Sequence, residues 1–147
     1  MELPEYVTVD EVRRVCRELA LRDWTAMEKP DVRAEEARTL LKEIGADGMG
    51  VDLEDFRAGL EVELEHGFMY PEANVTNNHP VLTARIVLAH LKETLDYYKR
   101  LEVAELEGDL LKAMRRGDAG RAASLQKDLV RARYVLQRSE AAELGEL

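Results

Sequence analysis

From Leu82 to Met114 apolar residues recur every three or four positions, and this run limits the possible folds more than any other feature. It reads as one long helix. Over residues 81–116 such a helix would be roughly 54 Å long at the usual rise per residue. That is longer than a compact domain of 147 residues is wide. Either the helix bends near Gly108, or its far half projects with the next helix as a hairpin. A projecting hairpin needs cover for its apolar stripe, which leads us to expect a homo-oligomer built through it.

The rest of the chain has the same period. Thr8 and Glu11 stand at capping-box spacing before Val12, Val15, Cys16 and Leu19. Ala34, Ala37, Leu40, Leu41 and Ile44 form a second stripe, closed by Gly45. Asp52 is a suitable cap for a third helix ending at Gly67, and Pro80 suits the first turn of the fourth. After Gly117–Gly120 a last helix carries Leu125, Leu129, Ala132 and Leu136. No β-branched alternation of useful length appears. The expectation is an all-α bundle of about five helices with a long fourth helix. Residues 1–107 would form the core and 108–147 a basic C-terminal hairpin.

Charge and cysteine content exclude several function classes. The net charge of −9 argues against nucleic acid as the main partner. Residues 109–139 depart from it, with eight Lys/Arg against three Asp, net +5. That is either a solvated surface or a patch whose simplest partner is the acidic body of a second subunit. No run of apolar residues is long enough for a membrane span. The N-terminal residues lack the apolar stretch of a secretory signal, and the one cysteine, Cys16, cannot form an intrachain disulfide. The expected location is the cytoplasm.

Four polar residues interrupt the apolar faces. On a wheel centred at Phe56, Glu63 falls about 20° from the middle of the stripe and His66 about 80° away, at its edge. Glu54, Glu61 and Glu65 fall on the opposite side and read as solvated surface. On a wheel centred at Ile86, Glu93, Tyr97 and His90 all lie within about 40° of the centre. An unpaired buried carboxylate costs several kcal/mol, so these groups need partners. If the third and fourth helices pack antiparallel, His66 should approach His90 and Glu63 should approach Glu93. Two carboxylates brought together need a proton or a cation between them. Two imidazoles complete a ligand set that iron, manganese and zinc accept. Glu63, His66, His90 and Glu93 are therefore the candidate metal ligands, with Tyr97 and His79 as second-layer groups. The layout is analogous to carboxylate-bridged centres in helical bundles, although those use more carboxylates.

The competing reading is a hydrogen-bonded polar core with no metal, in a non-catalytic oligomerising or adaptor protein. For His79 a place near a helix cap is the simpler role, and Asn77 and Asn78 suit turns. No phosphate-binding glycine loop, catalytic triad or zinc-protease motif is present. No reaction follows from the sequence.

The segment Phe56-Arg-Ala-Gly-Leu-Glu-Val-Glu-Leu-Glu-His-Gly67 is followed by Asn74-Val-Thr76 and Pro80 to Thr83. Ala89-His-Leu-Lys-Glu93 and Asp96-Tyr-Tyr98 complete the series. Together they resemble a family of small uncharacterised bacterial and phage proteins, a domain of unknown function. Its pattern is an ELEHG segment followed by an AHL-x-E-x-x-DYY segment. The resemblance covers about Leu41 to Glu105. It implies that His66, His90 and Glu93 stand at positions typical of that family, and it brings no activity with it.

Overall fold

The computed structural model describes residues 6–46 and 48–145. Among them all regular structure is helical. In chain order the helices are α1 (Val9–Glu18), α2 (Ala34–Glu43), α3 (Leu53–Met69), α4 (Pro80–Glu93), α5 (Tyr97–Arg115) and α6 (Ala119–Glu143). Short 3-10 turns occur at Trp24–Ala26 and Pro71–Ala73. None of the described helices is long and apolar enough to cross a membrane.

Local chemistry sets most of the boundaries. The Thr8 hydroxyl accepts the Glu11 N–H at 3.2 Å and starts α1, while the Glu11 carboxylate is engaged by Arg14 at 2.6 Å. Asp52 accepts the N–H groups of Glu54 and Asp55 and starts α3. Gly45, at φ +69°, follows the end of α2 in the left-handed conformation that glycine adopts without strain.

Two expectations change. α3 runs through Gly67 to Met69. The expected long fourth helix is two helices, which makes six in all, and the break falls at Thr94–Asp96 rather than at Gly108. Asp96 causes it. Its side chain is buried and accepts from the Thr94 hydroxyl and from Arg100 Nε, the latter at 2.9 Å. Its second oxygen lies 2.7 Å from Arg100 Nη2, a close ion pair set off the hydrogen-bonding line. These local bonds compete with a continuous helical backbone. The apolar period misses the break because Leu91, Leu95, Tyr98 and Leu101 keep their spacing across it.

The chain divides into two compact units, Met1–Glu93 and Thr94–Leu147. The boundary expected after residue 107 falls inside α5. In the first unit α2, α3 and α4 pack pairwise, and α1 packs on α4 and on the Trp24–Ala26 turn. Val12, Trp24, Val32, Ala37, Leu40, Phe56, Leu60, Leu64, Ala84, Val87 and Leu91 fill this core. The second unit is the α5–α6 hairpin, closed over Ala113, Leu125, Leu129 and Ala132. At its open end Arg100 bridges Asp96 to Glu140, the latter at 2.8 Å.

Candidate Glu/His site

A loop sets how α3 meets α4. Asn77 and Asn78 both adopt positive φ, which asparagine tolerates better than most residues. The Asn74 side chain donates to Asn78 Oδ1 at 2.9 Å and lies 3.4 Å from the Gly67 carbonyl. A Cβ at Gly67 would clash with Asn78 Oδ1 and Asn74 Nδ2, so a larger residue there would displace both amides. Asn78 precedes α4 and Gly67 lies near the end of α3, so the two helices run antiparallel, as expected.

Within that pair Glu63 meets two imidazoles. Its carboxylate lies 3.4 Å from His90 Nε2 across the helix pair and 3.8 Å from His66 Nδ1 on its own helix. Glu63 keeps 14% of its side-chain exposure, His90 29% and His66 55%. Glu63 lies in the stripe of Phe56, Gly59, Leu60 and Leu64, as the wheel indicated, and His66 lies outside it.

The register differs from the expected one. Glu63 faces His90 rather than Glu93, and Glu93 is exposed. The reason lies in the rotation of α4. Its buried face is Thr83, Ala84, Val87 and Leu91, about 60–160° round from Ile86, and Ile86 is itself 37% exposed. α4 is apolar on nearly all sides, so its sequence did not indicate which apolar arc turns inward. Among the described residues no group of three His, Cys, Asp or Glu side chains is arranged to hold a metal ion.

His79 stands at the other end of α4, eleven residues or about 16 Å from His90 along the helix. It acts as a cap. Its carbonyl accepts the Thr83 N–H at 2.9 Å, and its Nδ1 faces the Leu82 N–H at 3.3 Å. Its Nε2 lies 4.0 Å from Glu11 on α1. Burial holds the imidazole below its ordinary pKa, with Glu11 pulling the other way. Tyr97 belongs to the second unit, where it packs edge-on against Tyr98 with ring centres 5.2 Å apart.

The sequence reading passed over a second polar centre. Glu36 is buried in the first unit and accepts from Arg22 Nη2 at 2.7 Å, the Arg33 N–H at 3.0 Å, the Arg22 N–H at 3.1 Å and Trp24 Nε1 at 3.3 Å. Burial alone would raise its pKa. The guanidinium and the N–H donors outweigh burial and leave it below the ordinary carboxylate range. The signal was available, because Glu36 sits one turn before Leu40 on the apolar side of α2. Glu61 also departs from its expected role as solvated surface. It accepts the Val32 N–H at 3.0 Å and Arg57 at 2.8 Å, tying α3 to the segment before α2. Cys16 is buried, and desolvation raises its thiol pKa, as suits a packing residue.

The family described as "Protein of unknown function (DUF5661)" matches residues 12–107, from α1 into α5. The chain belongs to this family. The match includes every residue of the Glu63/His66/His90 cluster and both helices that carry it. No curated protein and no solved structure matches the chain. The family carries no stated activity, so the chemistry of DUF5661 in this chain has to be argued from its side chains.

Proposed function

We propose that this domain binds one divalent transition metal through Glu63, His66 and His90, with Glu93 as a fourth ligand. One observation carries the reading. A single carboxylate sits within 3.8 Å of one imidazole nitrogen and 3.4 Å of another, on two helices of one unit. Two imidazoles and a carboxylate suit zinc, manganese and iron. His66 and His90 keep enough exposure for an ion to reach them. Closure needs side-chain rotation, since no group of three stands ready among the described residues. Glu93 follows His90 by three residues and occupies the neighbouring surface position on α4.

The test is metal analysis and titration of tag-free protein. Uptake approaching one equivalent of zinc, manganese or iron is expected. At a hundredfold excess over the dissociation constant, binding stabilises the fold by about 2.7 kcal/mol. His90→Ala and Glu63→Ala should abolish uptake without loss of helicity. Less than about a tenth of an equivalent, with melting unchanged by chelator, overturns the proposal. The second reading is that the cluster is a polar tie between α3 and α4, with Glu63 set between His66 and His90. In that case Glu63→Gln, which keeps the shape and an acceptor, is tolerated and no metal is retained.

A further inference from the structure

The hairpin buries Leu125 and Leu129 yet leaves Leu111, Met114, Val130 and Tyr134 between 57% and 64% exposed. Leu111, Met114 and Val130 share one face, and Tyr134 stands at its edge. Glu107 and Arg133 bond across the hairpin at 2.6 Å, which marks that side of both helices. Leu111 and Met114 follow Glu107 by about one and two turns. Val130 precedes Arg133 by about one turn, and Tyr134 follows Val130 by about one. Clustered apolar groups of this kind mark an interaction surface rather than scattered exposure.

The face is complementary to itself. Arg115 stands one turn beyond Leu111 towards the hairpin tip, and Glu107 stands one turn before it. Arg115 makes no ion pair among the described residues. Charge is also divided along the hairpin. Residues 109–131 carry six Lys/Arg against three Asp, net +3, while 96–107 with 132–143 carry four against six acids, net −2.

We infer that this face seats a second copy of the chain, in a two-fold pairing whose axis passes at Leu111 and Val130. The two hairpins run antiparallel. Arg115 of each copy meets Glu107 of the other, and Leu111 and Val130 of each copy pack on their counterparts at the axis. A parallel pairing would set the basic tip of each hairpin, net +3, against the other's. Two helices about 20 Å wide along the roughly 28 Å of α5 offer about 560 Å² per copy. That is near the lower limit for a specific interface, so dissociation falls in the micromolar range.

Sedimentation equilibrium of the full chain tests this. A monomer–dimer equilibrium is expected, and a monomer throughout about 1–200 μM overturns the inference. Leu111→Glu with Val130→Glu should give a monomer of unchanged helicity, and a persisting dimer overturns it. Arg115→Glu and Glu107→Lys each place like charges at both crossings, so each alone should weaken association about tenfold. Both positions are exposed, and a circular dichroism spectrum like the parent's checks that the hairpin persists in Glu107→Lys, which also loses the bond to Arg133. Mixing the two variants restores opposite charges at both crossings and should restore the dimer. Failure of the mixture to associate overturns the antiparallel pairing.

Discussion

Replacing Glu36 by alanine tests the polar centre that closes the first unit. The carboxylate satisfies three neutral donors, the N–H groups of Arg22 and Arg33 and the indole of Trp24, as well as the Arg22 guanidinium. Each neutral donor left in a buried setting costs about 1 kcal/mol. Arg22 keeps 28% of its side-chain exposure and regains water, so its Coulombic share is discounted. The sum is about 3 kcal/mol, at the lower end for breaking a buried pair. For a chain of this size that lowers the melting temperature by roughly 9 °C. Trp24 is the one tryptophan and is buried, so its fluorescence in a urea titration reports this unit. Glu36 has a lowered pKa in the folded state. Its contribution is thus complete above the unfolded value of 4.5 and is lost as pH falls through the folded value. Glu36→Gln should remove that acid-side slope. A loss below about 1 kcal/mol for Glu36→Ala, with an unchanged urea dependence, would refute the reasoning.

Two further outcomes follow from the loop and the cap. Gly67→Ala forces a Cβ onto Asn78 and should cost about 1–3 kcal/mol in urea melts, and Asn78→Gly in that background should recover part of the loss. His79 has a folded pKa below its ordinary 6.5, so the unfolded chain binds the proton more readily. Its contribution is complete above that value and falls as pH drops through the folded one. His79→Asn keeps a capping acceptor, and stability between about pH 7.5 and 5.5 should then vary less than in the parent chain.

The sequence read well where the physics is local. Thr8, Asp52, Gly45 and Pro80 mark helix ends because a cap or a turn is decided by a few neighbouring residues. Glu63 could be placed in a buried stripe because Phe56, Gly59, Leu60 and Leu64 lie together on one side of α3. α4 gave no such guidance. Ile86 is as apolar as Val87, Ala84 and Leu91 but points away from their shared face, so a wheel centred on it is centred on an exposed residue, and Glu93 turns outward with it. The break at Asp96 was hidden for a related reason, since apolar spacing records faces and not the continuity of the backbone between them. The place of Glu36 on the apolar side of α2 was legible, but its partners Arg22 and Trp24 precede it by more than a helical turn and meet it only when the chain folds back.

The run from Leu82 to Met114 shows where the division lies. Its period determined that these residues are helical and that one side of each helix is buried, because that much depends on neighbours three and four positions away. Only the tertiary structure decided that the run is two helices, which apolar arc of α4 faces α3, and that Glu63 meets His90. Those depend on the rotation and register of whole helices, set by the sum of contacts across the core and by an asparagine loop packed against Gly67.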